Sequence, residues 1–251
     1  MTAPSLVAFD LDDTLAPSKG AISPRMAELL RALLRTVDVA IISGGNEQQF
    51  RSQVVAQLGG TDAVDLGRLH LLPTCGTRYL RYDGSDFTTV YAHDLSDDEK
   101  SAALTALREE AERLGLWEAE PWGDILEDRG SQITFSALGQ RAPGEAKHAW
   151  DPDGAKRAAL RDAVAARVPG LEVRSGGSTS IDITRAGIDK AFGMTRLADL
   201  TGIPLTSMLF YGDRLDEGGN DYPVLAIGVP SVAVEGWEDT ADRLDALLPT
   251  L

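Results

Sequence analysis

The sequence predicts an α/β fold interrupted by an α+β insertion. Near both ends of the chain, short apolar runs give way to polar loops and then to amphipathic stretches, as alternating strands and helices do. Between those ends lie a hairpin, stretches of alternating polarity and two helical segments, the texture of an antiparallel sheet with helices packed on it. No internal repeat or low-complexity tract breaks either pattern.

Leu6 to Phe9 is an apolar run of strand length, and it ends in Asp10-Leu11-Asp12-Asp13-Thr14. Ser23-Pro24 then opens a helix over Arg25 to Arg35. Serine supplies a capping oxygen, proline a preset φ, and Met26, Leu29, Leu30, Leu33 and Leu34 form one apolar stripe. Val37 to Ile42 is a second buried strand, ending in Ser43-Gly44-Gly45-Asn46 ahead of an amphipathic stretch, Glu47 to Leu58. Tyr79 to Tyr91 reads as a hairpin turning at Asp83-Gly84-Ser85. Ser96-Asp97-Asp98-Glu99 is a capping box that opens a helix running to Leu114. Ser131 to Leu138 alternates as a half-exposed strand, Asp153 to Arg167 is helical, and Leu171 to Val173 and Ser180 to Thr184 are short strands. From Lys190 the alternation returns. A helix reaches Leu200, then come a strand, Met208 to Tyr211, a loop, Gly212 to Asp221, a strand, Ser231 to Val234, and a helix, Glu238 to Leu248.

Among the 251 residues, 24 Lys and Arg face 39 Asp and Glu, a net charge of −15. A surface so acidic repels phosphate backbones and anionic bilayers, so neither nucleic acid nor membrane is an expected partner. No apolar run approaches the roughly 18 residues of a membrane span, and the first residues carry no basic, apolar leader, so a cytoplasmic location is expected. Cys75 is the sole cysteine, which excludes an intramolecular disulfide, a cysteine-based zinc cluster and a CxxC redox pair. His70, His93 and His148 are scattered and form no His-x-x-x-His pattern.

The chemistry concentrates at strand ends, where open α/β sheets place their ligands. Asp10 and Asp12 come directly after the first strand, and Asp213 with Asn220 and Asp221 after the strand Met208 to Tyr211. Two acidic clusters converging on one side of a sheet need a positive charge between them, and Mg²⁺ with a substrate phosphate suits so few carboxylates. Ser43 and Gly44 offer a hydroxyl and backbone N–H groups at a helix start, which favours an anion, and Lys190 begins a later helix. Taken singly, each residue has a plainer reading: Ser43, Asn220 and Asp221 as helix caps, Asp13 or Thr14 as a turn, Lys190 as a surface charge. Their order along the chain favours the chemical one. Cys75 reads as a small packing residue, and Trp117, Trp122 and Trp150 as packing more than sugar stacking.

That ordered set resembles the haloacid dehalogenase (HAD) superfamily of phosphoryl-transfer enzymes, and Phe9-Asp10-Leu11-Asp12-Asp13-Thr14-Leu15 is a typical form of its first motif. The resemblance implies a Rossmann-like core with a parallel sheet, residues 1–82 and 186–251, and an inserted α+β cap of the C2/IIB type, residues 83–185. Within that branch the chain is most similar to the eukaryotic-type phosphomannomutases. The matching stretches are Arg129 to Gly139, Gly176 to Ile183, Gly187 to Lys190, and Gly212-Asp213 with Gly218 to Asp221. By that resemblance Asp10 is the nucleophile and Asp12 the general acid/base, which also lends its backbone carbonyl to Mg²⁺. Thr14 braces the loop, Ser43 and Lys190 hold the phosphoryl group, and Asp213, Asn220 and Asp221 complete the metal site. Arg129, Ser180 and Asp182 fall where the family binds its sugar phosphate.

The departures from that pattern lie in the cap. Where the family grips the distal phosphate with further arginines, this sequence has Gln140, with Arg141 beside it, and Lys147, and the loop after the Asn-Asp pair is shortened to Leu225 to Pro230. Glutamine carries no charge and lysine is a point charge, so the grip a mutase needs on a bisphosphate is weaker here. The sequence thus puts a Mg²⁺-dependent phosphohydrolase of sugar phosphates first, a phosphomannomutase-type hexose-phosphate mutase second and a non-catalytic phospho-ligand binder last. The expected partner is a phosphorylated small molecule, with a homodimer as the oligomer considered.

Overall fold

The computed structural model describes residues 3–59 and 65–251. It divides into two compact units, Met1–Ala92 with Asp189–Leu251, and His93–Ile188. The strands, in chain order, are β1 (Leu6–Phe9), β2 (Asp38–Ile42), β3 (Leu69–Leu72), β4 (Arg78–Tyr82), β5 (Phe87–Ala92), β6 (Leu126–Asp128), β7 (Ile133–Ser136), β8 (Leu171–Ser175), β9 (Ser180–Arg185), β10 (Met208–Gly212) and β11 (Ser231–Ala233).

The first unit is built on a seven-stranded sheet in the order β11-β10-β1-β2-β3-β4-β5. β11, β10, β1, β2 and β3 run parallel, and β4 and β5 close the edge antiparallel. β1 is buried along its whole length because apolar layers cover both faces, which is why it reads as an unbroken apolar run. Its side chains alternate between the two layers. Val7 and Phe9 meet Met26, Leu30, Leu33 and Leu34 of the helix Pro24–Leu34, whereas Leu6 and Ala8 share the other cluster with Ile42, Met194 and Leu197. Ser23 caps the first of these helices as its sequence requires, Met26 N donating to Ser23 Oγ at 3.2 Å.

The second unit is a four-stranded antiparallel sheet, β6-β7-β9-β8. Ile133, Phe135, Val173, Ile181 and Ile183 pack with Leu107 of the helix Asp97–Arg113 and with Leu160 and Val164 of the helix Ala155–Ala165. The Ser96–Glu99 capping box forms as read, with both reciprocal hydrogen bonds present. Of the tryptophans, Trp117 and Trp150 pack against this core, Trp117 with its ring 6.4 Å from Phe135, while Trp122 is exposed.

The structure departs from the sequence reading in a few elements. The hairpin's second strand, β5, extends the large sheet, so the first unit continues to Ala92, beyond the boundary at residues 82/83 read from sequence. β3 and β6 have no counterpart among the strands read from sequence. The stretch Glu47 to Leu58 is helical but broken, with a π-helical turn over Arg51–Val55.

Candidate active site

β10, β1 and β2 are hydrogen-bonded parallel neighbours, so their C-terminal ends lie side by side on one edge of the sheet. The residues leaving those ends are Asp213, Asp10 and Ser43, three of the positions read from sequence as chemical. Asp10 and Ser43 are buried and Asp213 is half-buried. Lys190 is the first residue of the helix Lys190–Thr201, whose N-cap Asp189 accepts from Phe192 N at 3.0 Å.

Lys190 is the centre of the cluster. Only 1 % exposed, its Nζ lies 2.6 Å from an Asp10 oxygen and donates to Asp221 Oδ1 at 2.5 Å. Asp221 precedes the helix Tyr222–Ala226 but does not cap it. Its second oxygen accepts from Arg214 N at 3.1 Å, which pins the loop after β10. Gly212 is required there, since a β-carbon on it would lie 2.4 Å from Asp221 Oδ2. Thr14, fully buried, is hydrogen-bonded to Asp213 Oδ1 at 3.4 Å and ties the β1 loop to the β10 loop.

Oxygen atoms of Asp10, Asp213 and Asp221 all lie within 4.8 Å of one another. Against these carboxylates stands one ammonium, so the cluster carries excess negative charge in a low-dielectric setting. Burial pushes the Asp10 carboxyl well above the ordinary carboxylate range; Lys190 opposes the shift, and Asp221 and Asp213 reinforce it. For Lys190 itself burial works against the charge, but Asp10 and Asp221 outweigh it and hold the ammonium protonated. Burial also raises Asp213, with Asp221 adding to the shift, and it raises Asp12. An all-oxygen donor set with surplus negative charge fits a hard divalent cation.

The remaining core positions read from sequence are Asp12, Ser43, Gly44 and Asn220. Asp12 is half-buried and its Oδ1 accepts from Lys19 N at 2.5 Å. Ser43 does not cap the next helix; Asn46 does, with a full capping box, and Ser43 Oγ accepts from Gly45 N at 3.2 Å. Gly44 is half-buried with nothing within 4 Å of where a β-carbon would sit. Asn220 is exposed, outside the buried carboxylate group.

In the second unit, Ser180 and Asp182 point to one face of β9, opposite Ser136 and Thr134 of β7. Asp182 Oδ1 accepts from Thr134 Oγ1 at 2.7 Å and from Gln132 Nε2 at 2.9 Å. Arg129, in the turn between β6 and β7, pairs with Glu127 at 2.8 Å and is 6 % exposed in its side chain. Gln140 and the exposed Arg141 lie in the loop after β7, tied through their amides to Asp124 O at 3.1 Å and Trp122 O at 2.8 Å. Lys147 is half-buried on the helix Gly144–Trp150.

Sequence reasoning missed the turn after β3. Thr74, Cys75 and Gly76 have φ of 50°, 55° and 82° in succession, and Thr74 N and Cys75 N donate to Gly45 O and Ser43 O, both at 2.9 Å. A β-branched residue in the left-handed region is an outlier that only surrounding structure sustains. The available signal was the apolar run Leu69 to Leu72 closed by Pro73, with Gly76 close behind.

A mostly parallel sheet with carboxylates at its strand ends, together with a separate α+β insertion, is a HAD-like fold. The chain belongs to the eukaryotic phosphomannomutase family, whose model matches residues 119–250. The phosphomannomutase of Schizosaccharomyces pombe is 25% identical over 225 residues, covering 88% of this chain and 84% of its own length. A haloacid dehalogenase-like hydrolase from Bacteroides thetaiotaomicron superposes with a TM-score of 0.65 at 16% identity, over 97% of this chain and 99% of that one. An IMP-bound mutant of the Plasmodium falciparum IMP-nucleotidase superposes with a TM-score of 0.71 at 14% identity, over 99% of this chain and 68% of that one. At such identities the solved structures carry the fold alone. Among the described residues no helix is long and apolar enough to cross a membrane.

Proposed function

We propose that this protein is a Mg²⁺-dependent phosphoryl-transfer enzyme for a hexose phosphate, working through an aspartyl phosphate on Asp10 as a phosphomannomutase-type mutase. The observation that carries the chemistry is the buried contact of Lys190 with Asp10 and Asp221, set at the ends of adjacent parallel strands. Family membership and a relative named phosphomannomutase favour the mutase, which reverses the order read from sequence.

Asp10 would attack phosphorus as the bond to the sugar oxygen breaks, dividing one hard displacement into two easier ones. Asp12, which burial keeps protonated to higher pH than usual, would give its proton to the leaving oxygen and later take one from the acceptor hydroxyl. Lys190, Ser43 and the amides around Gly44 would hold the equatorial oxygens, where most of the catalytic gain in phosphoryl transfer lies. Asp10, Asp213 and Asp221, with the Asp12 carbonyl, would hold the Mg²⁺, which when bound neutralises phosphoryl oxygens and keeps the nucleophile ionised. Arg129, Ser180, Asp182, Arg141 and Lys147 would bind the sugar phosphate in the second unit.

The hydrolase remains as a second reading because Gln140 puts a neutral side chain where the resemblance places an arginine. One assay separates the two: hexose monophosphates with Mg²⁺, with and without catalytic hexose 1,6-bisphosphate, scored for free phosphate and for 1-to-6 isomerisation. Bisphosphate-dependent isomerisation supports the mutase. Free phosphate without isomerisation replaces it with the hydrolase, and no turnover of any hexose phosphate overturns both.

A further inference from the structure

The groups proposed to hold the phosphoryl oxygens come from separate parts of the chain. Ser43 lies just past β2, and Lys190 opens a helix far along the sequence. The turn after β3 connects them. On one side, Cys75 N and Thr74 N donate to Ser43 O and Gly45 O, gripping the backbone of the Ser43 loop at two points. On the other side, Gly76 meets Gly193, three residues beyond Lys190 and so on the same face of its helix. A β-carbon on Gly76 would lie 2.4 Å from Gly193 Cα. A β-carbon on Gly193 would lie 2.5 Å from Ile42 Cδ1, 2.8 Å from the Cys75 carbonyl oxygen and 3.0 Å from Gly76 Cα. Two of those three are backbone atoms of the turn that grips Ser43, so the helix cannot take a side chain there without moving away from it.

We infer that Gly193 and Gly76 are positioning residues: their backbone-to-backbone contact sets the distance between Lys190 and Ser43, and with it the width of the phosphoryl site. The inference rests on the phosphoryl-transfer reading of that site. Glycine in a helix interior is otherwise a cost, since alanine holds the helical conformation better. That gives the inference a sign of its own. If the contact were incidental, Gly193→Ala would leave the protein as stable or more stable and catalysis untouched.

The test is Mg²⁺-dependent hydrolysis of p-nitrophenyl phosphate, which presents a phosphoryl group without a sugar, by wild type, Gly193→Ala, Asp10→Asn and the double variant Gly193→Ala/Ile42→Val. Thermal unfolding is followed in parallel. Misplacement of a catalytic group by about 1 Å can cost on the order of 100-fold, so kcat of Gly193→Ala should fall at least ~10-fold while KM changes less than ~3-fold. The double variant, which removes the Ile42 Cδ1 methyl, should fold and regain part of the loss; it also stands in if the single variant is insoluble. Gly193→Ala turning over within about twofold of wild type, with Asp10→Asn inactive, overturns the inference and spares the phosphoryl-transfer reading. A fall in Tm with kcat of the folded protein unchanged overturns it equally. Wild type inactive on this substrate and on the hexose phosphates overturns the reading and the inference together.

Discussion

Replacing Lys190 by methionine keeps an unbranched apolar stem and removes only the charge. The ammonium is 1 % exposed and lies 2.6 Å from Asp10 and 2.5 Å from Asp221. Deleting one partner of a buried ion pair costs about 3–5 kcal/mol, because the other charge stays buried without compensation. Two carboxylates are stranded here, but Asp10 already holds its proton to unusually high pH through burial and can neutralise itself, which pulls the cost toward about 3 kcal/mol. For a chain of this size that is a fall in Tm of about 6–12 °C. Thermal unfolding without added divalent cation would measure it at pH 7 and at pH 5, in wild-type and Asp10→Asn backgrounds. Without the ammonium, the Asp10 pKa in the folded protein stands further above its unfolded value. Between the two values the folded state then binds more protons than the unfolded, and stability falls as pH rises. The deficit should accordingly be largest at neutral pH and shrink on acidification. In the Asp10→Asn background it should shrink by at least about 1 kcal/mol, because one stranded charge is already gone. A Lys190→Met protein melting within about 2 °C of wild type at pH 7, or with the same deficit in both backgrounds, would refute the buried-pair account.

Asp10→Asn should abolish turnover and leave a folded protein, checked by phosphate release alongside circular dichroism; near-normal release would dismiss the assigned nucleophile. Asp213→Asn should raise the Tm of the metal-free protein at pH 7, because burial and Asp221 raise the Asp213 pKa and its charge opposes folding above the unfolded value. That gain should vanish as pH falls toward 4, and the variant should lose most of the stabilisation Mg²⁺ gives wild type, about 2.7 kcal/mol at a hundred times Kd. His70 is fully buried, its Nδ1 2.7 Å from the Tyr79 hydroxyl, and burial lowers its pKa against the pull of Asp38. A depressed histidine penalises the folded state as pH falls below about 6.5, so the Tm of His70→Gln should rise relative to wild type between pH 7 and 5, whatever the carboxylates add to both.

Much of the core was legible because the relevant physics is local. Pro24 after Ser23, the Ser96 to Glu99 box and the unbroken apolar run of β1 each state their structure within a few residues. The placement of Asp10, Ser43 and Asp213 came from the rule that parallel strands deliver the residues at their C-terminal ends to one edge of the sheet. The hairpin was equally clear as a hairpin, yet which sheet it joins depends on β3, a strand passed over in the run Leu69 to Leu72. Sequence periodicity fixes a strand's faces and leaves its neighbours open.

What could not be read is the geometry that long-range contacts impose on residues of ordinary type. Thr74 and Cys75 are poor choices for left-handed backbone, so nothing local announces the turn; it persists because Ser43, Gly45 and Gly193 hold it from both sides. Asp221 read as a helix cap when taken singly and as a metal carboxylate from its place in the ordered set. Only the fold shows that its oxygens are taken by Lys190 and by the Arg214 amide, so that it joins the charge balance of the site and leaves the helix uncapped. The same holds for Gly193, which in sequence is a weak helix former and in the structure is the point where the Lys190 helix touches the turn that holds Ser43. Residue type names the chemistry a position can carry. The distances at which that chemistry works are set by the close contacts of residues with no chemistry of their own.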